Sequence, residues 1–178
     1  DGMNRKLLVF MAGLLLSMGI TLGADCDSVC RINMRNEATK LDSSVNRAWI
    51  NSEYQIAEKM LRKSMDIREK ALGSDHPEVA EQLYRLGVFL FSRARYLEAE
   101  NVFRQAMKIN IKVLGPRHYC VAACSNYLAL SLHMLGSYSE AEVLYKNAIS
   151  IQENSQEAND LDIAITLTNY ADLLLILS

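Results

Sequence analysis

The sequence predicts an all-α solenoid of antiparallel helix pairs, and three observations predict it. The pattern Tyr54-x-x-Ala57-Glu58 returns as Tyr96-x-x-Ala99-Glu100 and as Tyr138-x-x-Ala141-Glu142, offset by 42 residues each time. Apolar residues inside each period are spaced three and four apart, the period of a buried helix face. Glycine (8) and proline (2) are too scarce in 178 residues for an all-β chain with its many tight turns. With 50% hydrophobic residues the chain is long enough to bury a core. Its formal charge of −2 gives no basis for nucleic-acid binding.

Residues 1–24 read as a secretory signal peptide. Arg5 and Lys6 precede an apolar run from Leu7 to Leu16, and Leu22-Gly23-Ala24 ends it in small residues before Asp25. Cleavage is expected after Ala24, which places the mature protein in an exported space, periplasmic or secreted. An uncleaved membrane anchor over 7–24 is the alternative, weakened by Gly13, Ser17, Gly19 and Gly23. Residues 25–35 are expected to be an N-terminal linker.

Repeats follow over 36–178, in units of about 36–72, 78–114 and 120–153 and a partial unit 161–178. Residues 54–95 and 96–137 share 14 of 42 positions, among them Arg62/Arg104, His76/His118 and Leu86/Leu128. Ala38, Leu41, Val45 and Ala48-Trp49 mark a degenerate first helix over about 36–51. The helix of 54–72 ends at Gly73, and that of 96–113 at Gly115, where a left-handed cap residue is wanted. Pro77 opens the helix of 78–93, and Pro116 precedes that of 120–135. Helices over 138–153 and 161–177 complete the series. The last ends in the apolar run Leu173–Leu177 without a partner helix, so either the chain continues or this end docks on another chain.

Leu83, Leu86-Gly87, Tyr96, Ala99, Phe103 and Ala106 carry a resemblance to the tetratricopeptide repeat. The 42-residue spacing and the loop Leu72-Gly-Ser-Asp-His-Pro77 resemble the long repeats of kinesin light chains. That likeness implies a right-handed superhelix whose first helices line a concave groove, and a non-enzymatic scaffold that holds a peptide or a partner segment there. Projection from Leu86, Gly87 and Leu90 turns Tyr84, Arg85, Val88 and Phe91 into the groove. Asn126, Tyr127, Leu130 and His133 follow one period later, then Thr168, Asn169, Asp172 and Leu175. The resemblance implies that Asn126 and Asn169 hold a peptide backbone, with Arg85 and Tyr127 on its side chains. A second reading is a homo-oligomer assembled through Leu173–Leu177.

No residue pattern points to chemistry. The sequence lacks a phosphate-cradling loop, a GxSxG elbow and an HExxH pair, so neither an enzyme nor a cofactor is expected. His118 with Cys120 and Cys124 has the look of a zinc set, but its repeat counterpart His76 has no cysteine beside it and no fourth ligand lies near. Cys26 and Cys30 can bridge if their segment bends. Cys120 and Cys124 share a helix, where residues four apart hold their Cβ atoms about 5–6 Å from each other, too far for a disulfide at about 3.5–4.5 Å. A partner protein or peptide is expected; a membrane enters only if the leader stays attached.

Overall fold

The computed structural model describes residues 22–178, with side chains from Ser28 onward. Seven helices follow one another among these residues: α1 (Leu22–Ile50), α2 (Tyr54–Leu72), α3 (Pro77–Ser92), α4 (Tyr96–Leu114), α5 (Tyr119–Met134), α6 (Tyr138–Glu153) and α7 (Asp160–Leu177). Six match the expected spans to within one residue at either end. The first does not. The stretch expected as a linker, 25–35, is helical, because no glycine or proline occurs between Ala24 and Gly73 to stop a helix. The signal peptide falls outside the described residues apart from Leu22–Ala24. Among the described residues no helix is long and apolar enough to cross a membrane.

Each helix packs on its neighbours in the chain, α1 on α2, α3 on α4 and α5 on α6 most extensively. Beyond neighbours, backbones among the described residues come together from α3 to α5 and from α5 to α7, and α1 reaches α3 through side chains such as Trp49 on Phe89 at 5.3 Å. The chain is therefore an all-α solenoid of helix pairs. Two alternating joints build it. Between pairs, Gly73 (φ 89°) and Gly115 (φ 94°) turn the chain with ψ near 155–159°, a conformation nearly confined to glycine rather than the left-handed helical one. Three residues later His76 and His118 cap α3 and α5, each Nδ1 accepting from the second backbone N–H beyond it at 3.2 Å. The repeated histidine has a structural task in both copies.

Within pairs, the turn places Ser52 (φ 61°), Ala94 (φ 58°) and Gly136 (φ 80°) at one repeat position. Only the third copy has the residue suited to positive φ. Ala94→Gly is therefore expected to stabilise the protein by about 0.5–1 kcal/mol, the relief of left-handed strain less the added freedom of the unfolded chain. The readout is a higher urea midpoint at unchanged slope.

The core runs the length of the array through Val45, Leu61, Leu86, Phe103, Leu128, Tyr145 and Leu173. Size is traded across each pair. Leu61, Phe103 and Tyr145 occupy one position of the second helices, and Val45, Gly87 and Ala129 occupy one position of the first. A Cβ on Gly87 would lie 2.5 Å from the Phe103 ring, so the aromatic needs the glycine. The tyrosine that opens each second helix also has equivalent surroundings. Tyr54 meets Trp49 at 6.3 Å, Tyr96 meets Phe91 at 5.2 Å and Tyr138 meets His133 at 5.9 Å between ring centroids.

The repeated glutamates are paired on the same helix. Glu58 accepts from Arg62 at 2.8 Å, Glu100 from Arg104 at 2.9 Å and Glu142 from Lys146 at 2.7 Å. Glu58 also takes Arg95 of the next pair at 2.6 Å. Burial works to raise its carboxyl pKa, but Arg95 and Arg62 together hold it below the usual range.

At the far end Leu173 is buried, whereas Leu174 to Leu177 are exposed. Leu174 and Ala164 are exposed on α7, while Leu90 and Ala80 on α3, and Leu132 and Ala122 on α5, are buried at the same repeat positions. No second helix follows α7 among the described residues to cover them.

Candidate functional site

The first helices α3, α5 and α7 carry the expected groove residues, and the structure sorts them into two kinds. Tyr84, Val88, Phe91, Tyr127 and Leu130 are half-buried and packed against the core with part of each side chain open. Tyr127 stacks on Phe103 at 5.5 Å and meets Tyr84 edge-on at 5.5 Å, so the aromatic row is locked into the joint between repeats. Burial raises the Tyr84 phenol pKa well above its ordinary value and keeps it protonated. Thr168, Asp172 and Leu175 on α7 are exposed.

Asn126, Asn169 and Arg85 make contacts inside the protein. Asn126 is buried, and its Oδ1 accepts from Asn169 Nδ2 at 3.2 Å, so the two amides bond each other across α5 and α7. Arg85 Nη1 lies 3.5 Å from Asp42 Oδ2 on α1. His133 rests on Tyr138, and its Nδ1 is buried without a hydrogen-bond partner among the described residues. The open part of this face on α3 and α5 is thus chiefly apolar and aromatic.

Sequence reasoning missed the partly buried carboxylate beside Arg85. Asp42 accepts from Arg68 Nη2 at 2.7 Å through Oδ2 and from Ser64 Oγ at 2.7 Å through Oδ1. Arg68 Nη1 also donates to Ser64 Oγ, and Arg68 Nε lies 3.5 Å from Glu78, which pairs with Arg35 of α1. One signal was present. Arg68, Asn110 and Gln152 share one repeat position, and all three are buried polar residues.

The cysteines hold no bridge among the described side chains. Cys30, Cys120 and Cys124 are free thiols. The Cys26 side chain lies outside the described residues, but its backbone is helical, so the bend wanted for a Cys26–Cys30 bridge is absent from that segment. Cys124 is 1% exposed, accepts a long bond from Asn110 Nδ2 at 3.6 Å, and burial pushes its thiol up to about 12.

A second concavity lies where α3, α5 and the end of α4 meet. It encloses about 360 Å³ and is walled by Pro77, Ala80, Leu114 and Ala123, with Tyr84 and Asn110 supplying polar groups. Tyr119, on its wall, donates from Oη to Asp162 Oδ2 at 2.8 Å. Burial and that bond push the Tyr119 phenol up to about 12.

The sequence matches the family model described as tetratricopeptide repeat over residues 48–112 and 80–154. No curated protein matches it. Among solved structures the fold is similar to BtubC (BKLC) from P. vanneervenii, with a TM-score of 0.70 and 16% identity over 76% of this chain. The chain spans 54% of that protein, about half its length. It is also similar to the nearly identical TPR-like repeats of a protein described as a kinesin light chain from Podosopora anserina. There the TM-score is 0.59 at 19% identity, covering 92% of this chain and 82% of the other. At these identities the likeness is one of fold.

Proposed function

The chain belongs to the tetratricopeptide repeat family, and from that premise we propose that it holds an extended peptide of a partner protein along the first-helix face. Its repeats indicate a protein–protein interaction scaffold. The observation that supports the finer reading is the row Tyr84, Val88, Phe91 and Leu130, half-open and already fixed by packing on the core. Side chains ordered before binding lose little freedom on contact, so a modest apolar row yields useful affinity. Asn126 and Asn169 bond each other once and Arg85 lies beside Asp42, and the donors and acceptors these contacts leave over can still orient a peptide. The leader-like pattern of residues 3–24 supports an exported site of action.

The test uses peptides selected from a random displayed library against the full chain. Val88→Gln with Leu130→Gln is expected to weaken the selected peptides at least about tenfold, as loss of interface anchors does. Leu97→Gln with Val143→Gln, exposed apolar positions on the second helices, is expected to leave binding unchanged. Equal effects of the two pairs would overturn the reading.

A further inference from the structure

The concavity between α3, α4 and α5 is bordered by acidic side chains. Residues 147–178 contain five acidic residues and no lysine or arginine. Glu81 stands at the pocket wall without an ion pair or hydrogen bond to any described residue. Asp162, tied to the wall through Tyr119, has no cationic partner among the described residues, and Glu157 reaches only His118 Nε2 at 3.8 Å. Glu58, Glu78, Glu100 and Asp42, by contrast, carry arginine partners, whereas Asp66, Glu69 and Asp172 carry none among the described residues. The pocket therefore presents an apolar interior with the carboxylates of Glu81, Glu157 and Asp162 about its rim.

Its interior also holds an underused polar group. Asn110 is 6% exposed, and its side chain makes one hydrogen bond among the described residues, the long one to Cys124 Sγ. Its amide oxygen makes no hydrogen bond to a described residue and is open to a donor brought by a ligand. About 360 Å³ is at the small end of ligand pockets, which span about 300–1,000 Å³. That space admits one large side chain and excludes a helix. Thiol chemistry at Cys120 is disfavoured, because burial, Glu157 and Glu81 all raise its pKa.

We propose that this pocket takes one leucine-sized side chain of a basic peptide, with the flanking lysines or arginines facing Glu81, Glu157 and Asp162. This rests on the reading of the chain as a peptide-binding module and names the chemistry of the peptide. The apolar side chain supplies most of the affinity, and the carboxylates select the sign of the flanks and speed encounter.

The test is fluorescence anisotropy on the full chain with a labelled seven-residue peptide, leucine at its centre and two lysines on each side. Alanine at the centre, or glutamate in place of the lysines, is expected to weaken binding at least about tenfold. Ala123→Phe, which fills the pocket, and Glu81→Lys, which reverses its rim, are expected to do the same. Glu81 is exposed, so its variant reports on binding even if Ala123→Phe fails to fold. Equal binding of the leucine and alanine peptides, or wild-type binding by Glu81→Lys, would overturn the proposal. If library peptides bind through Val88 and Leu130 while the lysine peptide does not bind, the pocket assignment fails and the groove reading stands. If neither kind of peptide binds, both fail.

Discussion

Replacement of Phe103 by alanine is expected to cost about 3–5 kcal/mol of stability, as for a fully buried aromatic. Phe103 is 0% exposed, stacks on Tyr127, meets Tyr84 edge-on and fills the space that Gly87 leaves. Its loss leaves a cavity at the joint of α3, α4 and α5 that neither glycine nor the locked tyrosines can close. Urea unfolding of the variant is expected to show a midpoint shift of that size. A cost below about 1 kcal/mol would mean that the joint repacks freely, against the close fit of protein interiors.

Removal of Asp42 is expected to have an effect of similar size by a different mechanism. Arg68 has a side chain 7% exposed, and Asp42, 13% exposed, is its nearest counter-charge. Asp42→Ala leaves that guanidinium buried with only Glu78 at 3.5 Å. Breaking one side of a buried pair costs about 3–5 kcal/mol, chiefly because the remaining charge is uncompensated. Because Asp42 also faces Ser64 and Arg85, the loss loosens α1 from both α2 and α3. Asp42→Asn keeps an oxygen acceptor for Ser64 and is expected to recover part of the loss. Denaturant unfolding of the two variants side by side checks this, and equal costs would show that charge is not the cause.

The architecture was legible because the repeat writes it several times over. Tyr54, Tyr96 and Tyr138 fix the period, and their packing on Trp49, Phe91 and His133 shows equivalent tyrosines in equivalent surroundings. Pro77 marks a helix start by local chemistry alone, whereas the capping role of His76 and His118 emerged only in the structure. The start of α1 was not legible, since a segment without glycine or proline carries no stop signal and its extension depends on sequence without a repeat counterpart.

The groove was legible as a face and not as a set of partners. Projection placed Asn126 and Asn169 on adjacent first helices, but 43 residues of separation gave no sign that their amides meet. Arg85 read as a free cation because Asp42 sits in the degenerate first unit, outside the comparison that revealed the repeats. The pocket beside Tyr84 escaped for a similar reason. Its wall gathers Pro77, Asn110, Leu114 and Ala123 from three helices, and no spacing along the chain encodes such a meeting.

Hydrogen–deuterium exchange of the full chain with and without a library-selected peptide tests the central claim most directly. Binding on the first-helix face predicts added protection in α3 and α5 around Tyr84–Phe91 and Asn126–His133, with α4 and α6 unchanged on their outer faces. Protection confined to Leu97–Val113 or Val143–Glu153 would place the partner on the opposite side of the array and contradict the account.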